Sequence, residues 1–536
     1  MSKFIFITGG VISGLGKGVA AASIGNLLKA KGYSIFVLKL DPYLNVDPGV
    51  MSPFEHGEVY VTEDGGETDL DLGHYERFIN ENFSKDSNFT SGRIFQNILE
   101  KERKGVFKGK TVQYVPHVTN EIISVIKNIE KKYNSDFVII EVGGTVGDIE
   151  SNPFIHALSQ MGYSNSNDTF FIHVTYVPFL KTSGDFKTKP TQFSVSTLKG
   201  LGVKPNMILL RSDDSLPNEI IKKVAYTSLL TDEYVVSVPD LSNIYDIPLY
   251  LNKKNVASNI LKYFNMQDNQ AKLDDWKAFA RKVAANKQKS LVIKMLGKYT
   301  SFSDAYKSIN EALKISAIDL KIDINLEYVD SSTLNEENIK QILSNADGVV
   351  ILPGFGIRGF EGKVLAAKYT KEEKIPTFGI CLGMQAMTVA QARKQGLTNA
   401  TSREFAQGEN EIYVLDFIKG KSAKDNLGGT LRLGAYETVF KPNSLISKYY
   451  KSDSIWERHR HRYEVNSAYI NNIQSDDFIF SGFHPTLKLV ETCEDPTQDF
   501  YIGVQYHPEF TARPLQPHKL FTRFLQSASK FKDKNV

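Results

Sequence analysis

One short stretch in the C-terminal half of the chain has the residues of a nucleophile site. Cys381 is at the centre of the run Gly379-Ile380-Cys381-Leu382-Gly383, between a predicted strand and a predicted helix. Small residues on both sides of a nucleophile permit the sharp turn that presents its side chain. A helix N-terminus and a nearby imidazole would activate the thiol. The run therefore predicts a cysteine nucleophile. The alternative, a buried structural cysteine, is our interpretation of Cys493, which has no such flanking residues.

A histidine and a carboxylate further along the chain would complete this site. His507 and Glu509 both occur in the run QYHPEF at positions 505–510. An imidazole can accept the thiol proton, and a carboxylate two residues later can orient the ring. His507 alone would be interpreted as an ordinary histidine. Together with the turn around Cys381, it predicts a triad of cysteine, histidine and glutamate.

A glycine-rich loop near the N-terminus has the composition of a phosphate-binding loop. Residues 8–18 read TGGVISGLGKG, after a predicted strand and at the start of a predicted helix. Glycines let backbone N–H groups turn inward, the helix N-terminus attracts anions, and Lys17 can reach terminal phosphates. The match to the usual pattern is imperfect, because Val11 replaces the first glycine and Gly18 replaces the Ser or Thr that would bind magnesium. A glycine-rich turn without a ligand is the alternative.

If Gly18 cannot bind a metal ion, carboxylates must do so. Magnesium prefers a few hard oxygen ligands together with substrate phosphates. Glu141 ends an apolar strand, where the side chain would open into the ligand crevice of a parallel sheet. A charge at the end of such a strand is costly unless it is used. Asp71 is the second candidate, with a solvated acidic loop as its alternative interpretation.

The elements that must position these residues follow an α/β pattern. Continuous apolar runs predict buried parallel strands rather than half-exposed ones. In the first half these are Phe4–Thr8, Ser34–Leu40, Phe137–Val142, Phe170–Thr175 and Met207–Arg211. A helix is predicted between the first two strands, over Gly18–Ala30, which gives a β-α-β unit. In the second half the predicted strands are Leu291–Leu296, Gly348–Leu352 and Pro376–Ile380.

The length of the chain, 536 residues, exceeds what one hydrophobic core supports. The sequence predicts a first domain over residues 1–265, a linker with one amphipathic helix over 266–289, and a second domain over 290–536. Lys and Arg total 64 and Asp and Glu total 61, so the net charge of +3 argues against a nucleic-acid or membrane-surface binder. With two cysteines, no apparent signal peptide and no bilayer-length apolar run, we expect a cytoplasmic protein without disulfides.

From about Lys3 to Ala528 the chain resembles the CTP synthase family, whose members aminate UTP with ATP and glutamine. The resemblance rests on long and specific motifs. They are KLDPY at 39–43, NVDPG at 45–49, TDLDLGHYERF at 68–78, EVGGTVGDIES at 141–151 and KTKPTQ at 187–192. The second half resembles a class I glutamine amidotransferase. The resemblance implies an α/β fold, with a P-loop, dethiobiotin-synthetase-like Rossmann-type domain followed by a glutamine amidotransferase domain.

The resemblance also implies roles for residues of the first half. Lys17 and Lys39 would bind the ATP phosphates, and Asp71 and Glu141 would bind Mg²⁺. The full ATP site implied is Ser13, Gly14, Leu15, Gly16, Lys17, Gly18, Lys39, Asp71 and Asp240. The site implied for UTP, or for the product CTP, is Ser13, Asp148, Ile149, Glu150, Lys187, Thr188, Lys189, Pro190, Thr191, Gln192 and Lys223.

In the second half, the resemblance implies that Cys381 forms a thioester with glutamine and releases ammonia. The implied glutamine-binding residues are Gly354, Leu382, Gly383, Met384, Gln385, Glu404 and Arg462. Ammonia would then travel inside the protein and displace phosphate from 4-phosphorylated UTP, with His56 near the mouth of the passage. A shielded route is physically sensible, because water would protonate ammonia to non-nucleophilic ammonium.

The family further implies a homotetramer, in some cases assembled into filaments, with nucleotide sites completed across subunits. CTP would be a feedback inhibitor and GTP an allosteric activator of glutamine hydrolysis. We assign Arg358 and a lid over Gly428–Gly434 to that activation as a hypothesis.

Two positions depart from the family pattern. The family commonly reads Pro-Gly-Gly-Phe-Gly, whereas this chain has Leu352-Pro353-Gly354-Phe355-Gly356. Proline has no N–H, so an oxyanion donor at Pro353 would be lost unless Gly354 or Leu382 replaces it. Losing one such donor costs about 10²–10³ in rate. Gly14 stands where a serine is frequent, which should loosen the phosphate loop.

Two other functions compete with this hypothesis. One is a two-part amidoligase of the type that amidates corrinoid carboxylates, which would share the phosphate loop and the glutamine domain. The Lys187–Gln192 run and the segment from Asp148 to Glu150 favour UTP. The other is a nucleotide-sensing scaffold that forms filaments without catalysis, which the complete set of candidate catalytic residues disfavours.

Overall fold

The structure of the protein is a computed structural model. It describes residues 2–285, 287, 289–406, 408, 410–418 and 431–535, the side chain of residue 535 excepted. The described residues form two compact units. The first comprises residues up to 48 together with Asp71–Ala280, and the second comprises Gly49–Leu70 together with residues from 281 onward. The boundaries drawn from the sequence at 265 and 290 stay predictions.

The strands of the described residues are numbered in chain order. They are β1 (Lys3–Gly9), β2 (Ile35–Asp41), β3 (Tyr60–Val61), β4 (Glu67–Thr68), β5 (Asn88–Thr90), β6 (Phe137–Val142), β7 (Thr169–Tyr176), β8 (Phe179–Leu180), β9 (Asp185–Phe186), β10 (Met207–Ser212), β11 (Val235–Pro239), β12 (Ser290–Gly297), β13 (Asp323–Asp330), β14 (Gly348–Ile351), β15 (Thr377–Ile380), β16 (Ala400–Ser402), β17 (Ile412–Phe417), β18 (Arg432–Phe440), β19 (Ser454–His461), β20 (Tyr463–Val465), β21 (Ile479–Phe483), β22 (Val490–Glu494) and β23 (Tyr501–Val504).

The α-helices are numbered in the same way. They are α1 (Lys17–Ala30), α2 (Pro53–His56), α3 (Asp71–Ile79), α4 (Ser91–Arg103), α5 (Thr119–Tyr133), α6 (Asn152–Ser164), α7 (Lys189–Gly200), α8 (Asn218–Ser228), α9 (Ile247–Lys253), α10 (Val256–Tyr263), α11 (Asp274–Ala284), α12 (Lys307–Leu320), α13 (Ile339–Leu343), α14 (Phe360–Glu372), α15 (Leu382–Lys394), α16 (Leu445–Tyr450), α17 (Ile470–Ile473) and α18 (Lys519–Asn535).

The first unit is built on a seven-stranded parallel sheet in the order β11-β10-β7-β1-β6-β2-β5. Every residue of β2 and β6 is buried, so both faces of the sheet are covered, as expected for continuous apolar strands. The chain runs from β1 to β2 on one side and later to β7 on the other. The sheet therefore has its switch point next to β1, where such folds bind ligands at the carboxyl ends of the strands.

The second unit is built on a nine-stranded sheet in the order β13-β12-β14-β15-β23-β22-β21-β18-β19. Its first five strands are parallel, and the remaining pairs are antiparallel. The central strand β15 leads directly into Cys381 and α15, and its neighbour β23 is followed by His507. A three-stranded sheet, β16-β17-β20, belongs to the same unit, as does the β3-β4 hairpin from the N-terminal half of the sequence.

The α/β fold predicted from the apolar runs is confirmed. The five strands predicted in the first half are present, with ends shifted by one residue at most. Ser34, predicted to start the second strand, lies just before it, because its N–H and hydroxyl both donate to Asp136 Oδ2 at 2.8 Å. A helix, α11, occupies part of the segment predicted to be a linker.

Two helical glycines of the first unit provide a test of this packing. A Cβ at Gly92 would lie 2.2 Å from Leu44 O, whereas a Cβ at Gly200 would meet no heavy atom within 4 Å. Gly92→Ala should therefore lower the free energy of unfolding by about 1–3 kcal/mol, the usual cost of overpacking. Gly200→Ala should leave it unchanged or raise it by about 0.4–1 kcal/mol. Denaturant titration measures both, and equal midpoints for the two variants would contradict the packing described here.

Candidate functional site

The phosphate loop joins β1 to α1 and is held in a left-handed conformation. Gly16 has φ of 80° and precedes the first residue of α1, Lys17. Val11, which stands at the first glycine position of the usual pattern, has φ of 81°. A β-branched residue rarely adopts that conformation, so the loop keeps the shape that glycine would give it, at a cost in strain. Ser13 and Gly14 are exposed, and Leu15 is buried.

Lys17 is directed into the loop rather than into solvent. Its Nζ donates to Gly144 O at 2.7 Å, and Val146 N donates to Gly9 O at 2.8 Å, so the loops after β1 and β6 are joined. A Cβ at Gly9 would lie 2.6 Å from Lys17 Cδ, which explains why glycine is needed there. Burial lowers the pKa of the Lys17 ammonium, although the Glu141 carboxylate partly offsets this effect.

Lys39 gathers the two predicted metal ligands around one ammonium group. Lys39 and Glu141 are paired neighbours on β2 and β6, and Lys39 Nζ lies 3.1 Å from Glu141 Oε1. Lys39 Nζ also forms a short ion pair with Asp71 Oδ2. Burial raises the pKa of Asp71, but Lys39, His74 and Lys17 together outweigh it and lower the pKa to about 2. Two carboxylates thus converge on one position that carries positive charge.

The donor set of this cluster suits a magnesium ion that arrives with phosphates. Asp71 and Glu141 supply the hard oxygens that Mg²⁺ prefers, and Mg²⁺ commonly takes one or two carboxylates while phosphates and water complete the shell. Among the described residues, no group of three or more Asp, Glu, His or Cys side chains is arranged to hold a metal ion without such help. The residues present therefore fit the metal only together with a nucleotide.

The structure gives a steric reason for the glycine at position 18. A Cβ at this position would lie 2.1 Å from Asp71 Oδ1 and 2.7 Å from Asp71 Cγ. The residue that the usual phosphate loop fills with Ser or Thr is therefore glycine here because the Asp71 carboxylate occupies the adjoining space. The Asp71 carboxylate on α3 thus fills the space that a Ser or Thr side chain on α1 would take.

The residues predicted to bind UTP lie around the carboxyl ends of β6, β7 and β9. Asp148 Oδ2 accepts from Thr145 N at 3.1 Å, which closes the turn before Ile149 and Glu150. Ile149 is 82% exposed, an unusual position for an isoleucine. Glu150 is exposed as well.

Helix α7 carries most of the remaining predicted UTP residues. Lys189 and Pro190 form its first turn, Thr191 Oγ1 lies 2.7 Å from Thr175 Oγ1, and Gln192 Nε2 donates to Thr188 Oγ1 at 2.9 Å. These bonds fix the helix start against β7.

Two further predicted lysines converge on one carboxylate. Lys187 Nζ lies 3.1 Å from Asp185 Oδ2, and Lys223 on α8 is close enough to Asp185 to contribute to its charge environment. The hydrogen bond from Lys187 lowers the pKa of Asp185, with a smaller contribution from Lys223. Asp240, predicted to border adenine, follows β11 and forms a short ion pair with Arg211.

Cys381 is held on a strained turn between β15 and α15. It has φ of 51° and ψ of −104°, outside the regions that a cysteine ordinarily adopts, and its N–H donates to Val504 O at 2.7 Å. A Cβ at Gly383 would lie 2.1 Å from Ile351 O, and one at Gly379 would lie 2.4 Å from Met387 Sδ. The glycines on both sides of Cys381 are therefore required by close packing of the helix on the sheet.

His507 and Glu509 follow the neighbouring strand and form a buried pair. His507 Nδ1 lies 2.7 Å from Glu509 Oε1. Burial lowers the pKa of His507, but the Glu509 carboxylate and the Cys381 thiolate outweigh it and raise the pKa to about 10. His507 Nε2 has no hydrogen-bond partner among the described residues. The pair can hold an imidazolium whose second nitrogen remains available to a reacting group.

A cavity of about 650 Å³ in the second unit contains the nucleophile and several predicted glutamine ligands. Its lining includes Cys381, His507, Gly354, Glu404 and Arg462. Glu404 Oε1 accepts from Gly356 N at 2.6 Å. Leu382, Gly383, Met384 and Gln385 form the buried first turn of α15. The Gln385 N–H donates to Cys381 O at 3.1 Å, and the N–H groups of the three residues before it have no acceptor within the helix.

Part of this cavity wall comes from an unexpected place in the sequence. The segment 49–59 supplies Gly49, Val50, Met51, Ser52, Pro53, Glu58 and Val59 to the lining. Arg460 Nε donates to Glu67 Oε1 at 2.9 Å, and Tyr60 OH donates to Phe510 O at 2.8 Å, which fixes the segment in the second unit. His56, predicted to lie near an ammonia passage, is exposed in this segment.

Two buried lysines hold the loop that contains Pro353, and the sequence motifs predicted neither of them. Lys363 Nζ donates to Leu352 O at 2.5 Å, and Lys298 Nζ donates to Phe355 O at 2.5 Å and to Gly356 O at 2.6 Å. The two lysines bind the backbone carbonyls of Leu352, Phe355 and Gly356, and Gly354 has φ of 154°. In this arrangement the loop can present the Gly354 N–H to the cavity. Lys298 follows the apolar strand β12, a charge at a strand end that could have identified it.

Arg358 lies beside the same loop. Its guanidinium is 5.9 Å from the ring centroids of both Phe54 and Tyr299, and it pairs with Asp330 at 3.5 Å. The lid predicted over Gly428–Gly434 lies partly outside the described residues, because 428–430 are not described. No helix in the described part of the chain has both the length and the apolarity needed to cross a bilayer.

Comparison with known proteins accounts for both units. A family model described as CTP synthase N-terminus matches residues 3–266, and one described as glutamine amidotransferase class-I matches residues 301–527. A CTP synthase of Mycoplasmopsis pulmonis is 56% identical over 98% of this chain and 98% of that protein. Those of a Hydrogenobaculum species and of Aquifex aeolicus are 48% and 45% identical, over 99% and 100% of this chain and 98% and 100% of their own lengths.

Among solved structures, the Trypanosoma brucei CTPS glutaminase domain with bound acivicin is 33% identical, with a TM-score of 0.42. It covers 45% of this chain and 94% of that domain.

The contact between Gly18 and Asp71 gives a prediction for the first unit. Gly18→Ala should displace the Asp71 carboxylate and weaken binding of magnesium–ATP by at least about tenfold, the usual cost of disturbing a ligand's supporting contact. Gly200→Ala, with open space around its Cβ, is the matched control. Calorimetric titration with ATP, with and without magnesium, measures the effect. Equal affinities for the two variants would show that Gly18 is not required by Asp71.

Proposed function

This chain belongs to the CTP synthase family, and we propose on that premise how its residues convert UTP into CTP with glutamine as nitrogen donor. The observation that carries the proposal is the strained Cys381 turn, which lines a cavity together with the His507–Glu509 pair. Strained backbone of this kind is concentrated at functional sites. The arrangement supports a thiolate nucleophile.

Glutamine hydrolysis begins when the Cys381 thiolate attacks the side-chain amide carbon of glutamine. The carbon–sulfur bond forms, and the carbonyl electron pair moves to oxygen, where the N–H groups of Gly354 and Leu382 stabilise it. The His507 imidazolium gives its proton to the departing nitrogen, so ammonia leaves and a thioester remains. Glu509 keeps the imidazole ring oriented. Water then releases glutamate and regenerates the thiolate.

The substrate would be oriented by groups of both charges in the same cavity. Arg462 can bind the α-carboxylate of glutamine, and Glu404 can bind its α-ammonium group. Gly383, Met384 and Gln385 would complete the pocket. Because the Pro353 position has no N–H, the Gly354 N–H is the donor that this loop can offer. Lys298 and Lys363 support that assignment by binding the carbonyls of the loop.

In the first unit, Lys17 and Lys39 would bind the ATP phosphates and stabilise charge as the γ-phosphoryl group moves to O4 of UTP. Asp71 and Glu141 would hold Mg²⁺, which would neutralise part of the phosphate charge. Ser13, Gly14, Leu15, Gly16 and Gly18 would surround the phosphates, and Asp240 would border the adenine. Ammonia then forms a bond to C4, and phosphate leaves with the C4–O bond electrons and takes up the proton that the added nitrogen loses.

The UTP site would be formed by residues of α7 and of the segments beside it. Lys187, Lys189 and Lys223 would bind the triphosphate, and Thr188, Pro190, Thr191 and Gln192 would shape the pocket. Asp148, Ile149 and Glu150 would contact the base or ribose. The exposure of Ile149 supports a site that a second subunit completes, in a homotetramer. CTP would compete for this site.

Regulation and location are further parts of the proposal. GTP would activate glutamine hydrolysis, with Arg358 stacked on aromatic side chains near the loop after β14. Assembly of tetramers into filaments would be compatible with activity. Both cysteines are free, which supports a reducing compartment, the cytoplasm. Ammonia would travel by a shielded route, with His56 near its mouth.

Two substitutions separate the half-reactions. Cys381→Ala should lower glutamine-dependent CTP synthesis by at least about 10³-fold and keep the reaction with ammonium salts, because only the nucleophile is lost. Lys17→Ala should abolish both. Cys493→Ala is the control for loss of a thiol. Continuous measurement of CTP from UTP, ATP and magnesium decides the matter, and glutamine-dependent synthesis by the Cys381 variant would refute the assignment.

The His507–Glu509 pair predicts the alkaline limb of glutamine hydrolysis. The imidazolium is present below its raised pKa of about 10 and is lost as the pH rises through that value. Glu509→Gln removes one of the two charges that raise the pKa of His507 and leaves the effect of burial, so the alkaline limb of kcat/KM should move down by at least about one pH unit. Ammonia release from glutamine across pH 6–11 measures it. An unmoved limb would exclude the pair as its origin.

A further inference from the structure

The side-chain amide of Gln505 lies against the sulfur of Cys381. Gln505 follows β23, two residues before His507, and is fully buried. Its Nε2 donates to Cys381 Sγ at 3.6 Å, and its backbone N–H donates to Glu491 O at 2.8 Å. A buried glutamine aimed at a nucleophilic sulfur has no role in the mechanism given so far.

A chain of hydrogen bonds fixes the direction in which this amide points. The chain begins at the backbone carbonyl of Tyr463, which can only accept. Gln385 Nε2 donates to Tyr463 O at 3.0 Å and to Gln505 Oε1 at 3.1 Å. Because the Gln385 amide must present its NH₂ group to Tyr463, it presents a donor to Gln505 as well. Gln505 must therefore accept this hydrogen bond with its Oε1 atom, and its own NH₂ group then faces Cys381.

Besides His507, two groups among the described residues lie within hydrogen-bond reach of the Cys381 sulfur, and they favour opposite protonation states. Arg460 O lies 3.8 Å away and can only accept, so it favours the protonated thiol. Gln505 Nε2 can donate and therefore favours the thiolate. An N–H bond to an ionised acceptor is stronger than one to a neutral acceptor, so the amide contributes most when the sulfur is charged.

We propose that Gln505 is a catalytic residue of glutamine hydrolysis, whose amide N–H stabilises the Cys381 thiolate before attack and again when it leaves the thioester. In the first step the sulfur electron pair forms the carbon–sulfur bond. In deacylation, water oxygen bonds to the acyl carbon while His507 accepts the proton of water, and the carbon–sulfur bond breaks with its electrons on sulfur. The N–H of Gln505 therefore donates to the charged sulfur before the attack and again after the thioester is cleaved.

The same chain connects the thiolate to the substrate pocket. Both N–H donors of the Gln385 amide are used within the protein, so its oxygen is the atom that can accept a hydrogen bond from glutamine. A substrate bound there would hold Gln385 in place and, through Gln385, the Gln505 amide. This proposal rests on the proposed function, because it concerns the nucleophile of that reaction.

Gln505→Glu tests the proposal because it changes only one of the two side-chain contacts. A carboxylate at 505 still accepts from Gln385, but it has no N–H for Cys381 and places a negative charge beside the sulfur. Gln391→Glu is the matched control. Gln391 lies in α15 and, like Gln505, is buried. Its side chain forms hydrogen bonds with Ile473 O, Ser475 Oγ and Lys371 Nζ and has none with Cys381.

The first readout is the pH dependence of Cys381 alkylation by iodoacetamide in the full chain, quantified for each cysteine-containing peptide by mass spectrometry. The chain has two cysteines, and Cys493 is fully buried, so the signals are separable. In Gln505→Glu, the midpoint should rise by at least about one pH unit, as expected for a like charge at this distance. Glutamine hydrolysis should fall about 10²-fold, while ammonia-dependent CTP synthesis stays within about twofold.

Gln505→Met, which lacks both hydrogen bonds and adds no charge, covers the case in which the glutamate variant does not fold. Its midpoint should rise in the same direction by a smaller amount. An unchanged midpoint in a folded Gln505 variant would overturn the proposal, even if hydrolysis fell, because a purely structural role predicts that result. So would a shift of equal size in Gln391→Glu.

The proposal and the proposed function fail in different ways. If the parent protein released no ammonia from glutamine, the proposed function would be wrong, and the alkylation profiles would still decide whether Gln505 stabilises the thiolate.

Discussion

Parallel strands end together, and this constraint positions both reaction centres. In the first unit, β1, β2 and β6 deliver the phosphate loop, Lys39 and Glu141 to one edge of the sheet, where the Lys39–Glu141 pairing is set by strand register. In the second unit, β14, β15 and β23 deliver the loop at Pro353, Cys381 and His507 to one edge. Residues far apart in sequence thereby meet within hydrogen-bond distance, and no long side chain has to reach across the protein.

Both sites contain buried charged side chains. Lys17, Lys39, Lys298 and Lys363 are all nearly inaccessible to solvent, a costly state for an ammonium group. Lys39 is paired with carboxylates, and the other three donate to backbone carbonyls of functional loops. A lysine used in this way orients a loop, because each carbonyl bound on one side turns neighbouring N–H groups toward the other.

The two centres handle their charges differently. The first unit collects carboxylates around a lysine, a site suited to exchange for a metal ion and phosphates. The second unit surrounds one sulfur with an imidazolium, a helix N-terminus and an amide donor, all of which favour a thiolate. The strain at Cys381 and at Val11 is confined to the turns that present these groups, which is where strained backbone is tolerated when the surrounding packing fixes it.

The sequence determined the fold class and the strands of the first unit, because continuous apolar runs are local patterns. Short glycine-flanked motifs, which are also local, predicted the phosphate loop and the triad residues. It explained Gly18 only as a departure from a pattern; the structure shows that the Asp71 carboxylate lies where a Cβ would be. Tertiary structure alone decided that the 49–59 segment lines the Cys381 cavity, that Lys298 and Lys363 hold the Pro353 loop, and that Gln505 faces the sulfur. These contacts join residues up to hundreds of positions apart. Their partners are backbone atoms or single side chains, which leave no periodicity or motif from which a sequence could predict them.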